Sequence, residues 1–194
     1  MDILGYLSDE LDRGWIALLV AKHLHQAFEN QKLTCTRYFF TSAYLSCVES
    51  AVLTLSRLII PNNDSINIEY LLNVSEQNPR AFSYASKEEI LKTVLEHKQQ
   101  FGTIASLIAS IKDHRDRTIA HLDRKYINDP KVIFANPPID MREVERVFQL
   151  VLQIINTYKG YSDSSELDLS HLEREVADDL GYLAHLIKEA NERV

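Results

Sequence analysis

Lys112 to Lys125 reads KDHRDRTIAHLDRK, five basic side chains, three aspartates and two histidines in a chain whose formal net charge is −7. An imidazole titrating near neutrality takes or returns a proton, and the planar donor fork of a guanidinium holds phosphoryl oxygens as their charge grows. Together these residue types suit RNA transesterification, in which a ribose 2′-hydroxyl loses its proton as it attacks the neighbouring phosphorus. That chemistry needs no metal and no other cofactor. Arginines nearby also favour the neutral imidazole, the form able to act as a base.

Spacing constrains how these groups meet. On a straight helix Arg115 and His121 point about 120° apart and are separated by about 9 Å of rise, so they do not lie side by side. Arg117 and His121 share a face, and His114 lies one heptad before His121 on nearly the same line. Such a face, flanked by Arg115, surrounds one phosphate best when a second chain supplies the same face across a two-fold axis. The plain alternative is a solvated helix end. Cations near a helix C-terminus gain about 0.3 to 1 kcal/mol each from the dipole, and Asp–Arg neighbours keep an exposed face in water.

The elements that must position this segment are helical. Five glycines and five prolines punctuate 194 residues, and apolar residues recur at three and four rather than at two. Ser8 is expected to cap a first helix ending near Asn30, with Leu11, Trp15, Leu18, Leu19, Leu24 and Phe28 at helical spacing. A second helix is expected from Thr34 to Ile60; apolar over most of its circumference, it should be the most buried, before Pro61 stops it. A short helix follows between Ile66 and Gln77. Ser86 with Glu89 makes a capping box for a helix that Gly102 bends or interrupts and that continues to about Arg124. Asp140 with Glu143 opens the next, to about Tyr158. KGYSDSSELD reads as a linker, and Ser170 with Glu173 caps a last helix striped by Leu172, Val176, Leu180, Leu183 and Ile187. The expected fold is all-α, an up-and-down antiparallel bundle of five to six helices over residues 1–160, with a C-terminal helix over 161–194 completing the bundle or a dimer.

Composition narrows the partners. The acidic balance disfavours indiscriminate binding to duplex DNA, although Lys112 to Lys125 carries a local surplus of positive charge. Cys35 and Cys47 fall in one expected helix, about 18 Å apart along its axis and too far to bridge, which points to a reducing compartment. The N-terminus MDILGYLSDELDRG is acidic where a signal peptide is basic, and no stretch reaches eighteen uncharged apolar residues. A cytoplasmic protein without a membrane partner is expected.

Other candidates are weaker. His23 and His25 point about 160° apart on a helix and cannot grip one ion together. His97, His171 and His185 are isolated and read as surface or boundary residues. Tyr38, Phe39 and Tyr44 have the rings that stack on bases, but at helical spacing they read as core. Glu49 and Arg57 sit in an apolar helix and either lean towards Arg115 or His121 or reach the surface.

The string RDRTIAHLD, an Arg-Asp pair, then Ile119, Ala120, His121 and Asp123 in the last turns of a long helix, resembles the signature of the HEPN superfamily of helical bundles. Preceded by a long helix ending in LSRLI and by SINIEYLL, it is similar to the abortive-infection AbiU type, and the similarity spans Phe39 to Asp123 in motif order. The resemblance implies a metal-independent endoribonuclease of toxin or abortive-infection type, with RNA as substrate, an antitoxin protein as a partner, and a site at a homodimer interface to which both copies supply Arg115 and His121. His121 would serve as general base or acid and Arg115 as phosphate clamp. Asp116 would orient Arg115 or a facing histidine, and Arg117 and His114 would contact substrate. Members of the same superfamily also act as non-catalytic binding or assembly modules, and a basic patch serves that role without cutting anything.

Overall fold

The computed structural model describes residues 2–29, 37–62, 65–116 and 139–192. Among these it contains seven α-helices and no strand: α1 (Ile3–Glu29), α2 (Arg37–Ile59), α3 (Ile68–Gln77), α4 (Lys87–Thr103), α5 (Ala105–His114), α6 (Met141–Asp163) and α7 (Ser170–Glu192), with a 3-10 turn at Pro79–Ala81. The fold is all-α, as its periodicity requires. The seventh helix arises because the long helix after Ser86 breaks beyond Gly102. There Thr103 Oγ1 donates to Gln100 O and Ile104 N closes a tight turn on Phe101 O, while Ile108 N restarts the ladder on Ile104 O.

Two compact units make up the chain, one from Met1–Leu11 with Val52–Leu167 and one from Asp12–Ala51 with Asp168–Val194. In the first, α6 carries the longest buried face, with Val144, Val147, Phe148, Val151, Ile154, Ile155 and Tyr158 recurring at three and four. The same unit also buries Leu7, Leu11, Val52, Leu55, Leu58, Ile68, Ile90, Val94 and Ile111 almost fully. Asn67 joins two elements here: its Oδ1 accepts from Tyr70 N at 2.8 Å, capping α3, while its Nδ2 donates to Ile60 O at 3.2 Å beyond the end of α2. Arg57 Nε donates at 2.9 Å to the buried Glu10 carboxylate, so this arginine serves α1. Glu49 is exposed.

In the second unit Leu24 and Phe40 form the centre, with Val20, Ala27, Ala43, Tyr44, Leu180 and Ile187 packed on them. This corrects two expectations. Tyr38 is 93% and Phe39 67% exposed, because Phe40 takes the inward direction and residues one and two positions before it turn away. Nor is α2 the most buried helix: Ala51 to Ile59 enter cores, whereas Leu45 and most of the preceding turns face solvent. The segment Tyr38–Ile59 is long and apolar enough, by length and composition, to cross a membrane, and its second half, from Ala51, is mostly buried within the protein.

Helix boundaries shift where a better cap is present. Asp2 precedes Ser8 as the start of α1, with its Oδ1 accepting from Gly5 N at 2.8 Å, so α1 begins at Ile3 and Ser8 is buried inside it. Ser86 does cap α4, accepting from Glu89 N at 3.2 Å, and Asp140 caps α6 by accepting from Arg142 N at 2.9 Å. At α7 the accepting side chain is Asp168, bonded to Ser170 N at 2.8 Å, in place of Ser170. The expected linker is shorter than its composition implies: α6 runs on to Asp163, and Ser164 turns the chain in the left-handed region. Asn156 then clamps Leu167 through both its amide N–H and its carbonyl. Cys35 lies outside the described residues; Cys47 is a free, half-buried thiol that burial pushes above its ordinary pKa.

Candidate functional site

Helix α5 delivers Arg115. Ile111, fully buried, anchors the last turn of the helix, and Arg115 follows it at i+4 with helical φ and ψ. The Arg115 side chain is partly covered, at 26% exposure. Its Nε donates to Asp116 Oδ1 at 2.7 Å, and a terminal guanidinium nitrogen pairs with the same oxygen. Other N–H donors of this guanidinium have no partner among the described residues. Over residues 115–116 the backbone widens into a π-type turn, a distortion that occurs frequently at functional sites. His114 is half-buried beside them, and Lys112 is exposed one turn earlier. Arg117 and His121 lie outside the described residues. Within the described part no three His, Cys, Asp or Glu side chains are grouped to hold a metal ion.

A cavity of about 480 Å³ opens where the end of α2, the start of α3, the end of α4 and the start of α5 come together. Ile59, Ile68 and Leu72, each at most 3% exposed, supply apolar lining, and Phe101 adds an aromatic ring. Glu69 and Asn73, one turn apart on α3, give polar groups on one side. Lys98 also lines the cavity but is held by Glu76 at 2.6 Å. Gly102 faces open space, with nothing beyond its own helix backbone and chain neighbours within 4 Å of where a Cβ would stand.

The profile of the AbiU2 HEPN family matches residues 5–183, nearly the whole chain. This chain is an AbiU2-type HEPN domain. No curated protein and no solved structure matches it. The match extends the resemblance that the sequence carried between Phe39 and Asp123 across α6 and most of α7.

In this HEPN domain His97 differs from expectation. It is buried, at 4% exposure, and stands edge-on to Tyr158 with ring centroids 5.6 Å apart. Burial holds its pKa below the ordinary histidine value, opposed by the neighbouring Glu96 carboxylate, so the imidazole is neutral. Neither His97 Nδ1 nor the Tyr158 hydroxyl has a protein partner among the described residues. Burial also drives the Tyr158 phenol well above its ordinary pKa. Both are core groups at the contact of α4 with α6. Of the other histidines, His171 and His185 are exposed, the latter 3.2 Å from Glu189, and His25 stacks on Tyr44. The cavity escaped sequence reasoning because its residues come from four elements and none of them forms a motif. The one legible trace was Gly102, read only as a helix breaker.

Proposed function

We propose that this HEPN domain of abortive-infection type is a metal-independent endoribonuclease of the cytoplasm, acting as a homodimer in which both copies bring Arg115 and His121 to one cleft, and held in check by an antitoxin protein. The observation that carries the proposal is the state of Arg115: half-buried, oriented by Asp116, with donors to spare at the end of α5. A guanidinium fixed in that way is ready to hold a phosphate in a set orientation, which a freely moving surface arginine is not. The 2′-oxygen forms a bond to phosphorus and the bond to the 5′-oxygen breaks, leaving a 2′,3′-cyclic phosphate and a 5′-hydroxyl. His121 takes the proton from the first oxygen and an imidazole returns one to the second. Arg115 holds the non-bridging oxygens as their charge increases, and Arg117 and His114 contact the substrate.

Incubation of the protein with single-stranded RNA in excess chelator tests this. Cleavage is expected to persist in chelator and to disappear in His121→Ala; cleavage unchanged by that substitution overturns the assignment. RNA that is bound, weakened by Arg115→Ala, but never cut identifies a non-catalytic binding module instead.

A further inference from the structure

The cavity and Arg115 share a helix. Ile108 lines the cavity and lies one heptad before Arg115, so the two fall on nearly the same line of α5, about 10 Å apart along the axis. Exposed Lys112 stands between them, one turn beyond Ile108. That row is an apolar chamber, then a cation, then the guanidinium, over a span that a short run of single-stranded RNA bridges.

The chemistry of the chamber is selective. Ile68, Leu72 and Phe101 offer a surface on which a flat ring stacks. Lys98 is committed to Glu76, while the Glu69 carboxylate and the Asn73 amide make no hydrogen bond or ion pair among the described residues. A carboxylate only accepts, and it is best met by two adjacent donors; an amide nitrogen one helical turn away donates. Among the four RNA bases, guanine alone sets two neighbouring N–H donors, N1 and N2, beside a carbonyl. Uracil, cytosine and adenine each place an acceptor lone pair against the carboxylate.

We propose that this cavity seats a guanine base of the RNA strand whose neighbouring phosphate Arg115 holds, with Glu69 accepting from N1 and N2 and Asn73 donating to O6. The pocket then sets where along the strand cleavage falls. This specificity site rests on the ribonuclease reading given above, and its test separates the two.

Gly102 supplies the blocking variant, because it lines the cavity, a Cβ there meets nothing within 4 Å beyond its own helix backbone and chain neighbours, and leucine replaces a poor helix former. Binding of guanosine and of inosine to the intact chain is measured by calorimetry for wild type, Gly102→Leu and Glu69→Ala, with circular dichroism to verify folding. Guanosine is expected to bind wild type about tenfold more tightly than inosine, which lacks the N2 amino group, and to lose about tenfold or more in both variants. Sequencing of fragments from a random-sequence RNA should show guanine enriched at one position beside the cut, and that enrichment lost among whatever fragments Gly102→Leu still yields. Guanosine binding that is absent in wild type, or equal in wild type and Gly102→Leu, overturns the base site; so does an unchanged cleavage pattern. Guanosine binding that the variants abolish, with no RNA cut by wild type, overturns the ribonuclease reading and leaves the guanine pocket standing.

Discussion

Arg115 and Asp116 are neighbours in sequence, and most neighbouring side chains on a helix diverge by about 100°. Here a guanidinium and a carboxylate meet nonetheless, at 2.7 Å, which takes away rotamer freedom that Arg115 would otherwise lose on binding a phosphate. Arg115→Ala is expected to lower kcat/KM for RNA about 10²- to 10³-fold, the range seen when one oxyanion donor is removed. Arg115→Lys should recover only part of that, since an ammonium keeps the charge and loses the planar fork. Asp116→Asn should preserve the fold and lower kcat/KM less than Arg115→Ala does, because it loosens the arginine without deleting it. Initial rates on a fluorogenic RNA check all three. Equal rates for Arg115→Ala and wild type would remove this residue from the chemistry.

At the scale of elements, periodicity made α6 and α4 readable: in both the buried residues recur at three and four, and Ser86 and Asp140 cap them as their side chains allow. The start of α1 and the depth of α2 were not readable in the same way. Ser8 looked like a cap because acids follow it, but Asp2 with Gly5 N offered a cap two turns earlier, and the apolar run through Leu7 and Leu11 favoured the longer helix. How deeply α2 is buried depends on which neighbours reach it, and composition carries no information about neighbours. His97 is the same kind of case: its position on the buried face of α4, between Val94 and Phe101, decides its environment, and its type says nothing of that. That burial has a sign that can be worked out. In the folded chain the His97 pKa lies below its value of 6.5 in the unfolded chain, so between the two the unfolded state binds more protons. Stability from this group is complete above pH 6.5 and is lost as pH falls below it, towards the folded pKa. Urea midpoints for wild type should therefore drop below pH 6.5 more steeply than those of His97→Phe; parallel curves would show that His97 is not the group responsible.

Taken as a whole, the molecule is an acidic chain with a net charge of −7, in which the sequence Lys112 to Lys125 carries a local surplus of positive charge. If RNA is the substrate, that balance should make its binding weak, with a salt dependence no steeper than the few cations of that segment supply. The family match covers residues 5–183, this segment included, yet one copy supplies only one arginine and one histidine of the proposed pair. If two copies share a cleft, then Arg115→Ala homodimers have two histidines and no clamp, and His121→Ala homodimers have two clamps and no imidazole from that position. Subunit exchange between the two inactive proteins creates mixed dimers whose cleft holds one Arg115 and one His121. Ribonuclease activity should return when the two variants are mixed and should rise with time as exchange proceeds, reaching its highest value near equal proportions. Sites contained within single chains would gain nothing from mixing, because every chain in the mixture lacks one of its two groups. With wild type active, a mixture that stays inactive after exchange has been verified by mass spectrometry of differently tagged subunits would refute a shared cleft that needs only one Arg115 and one His121.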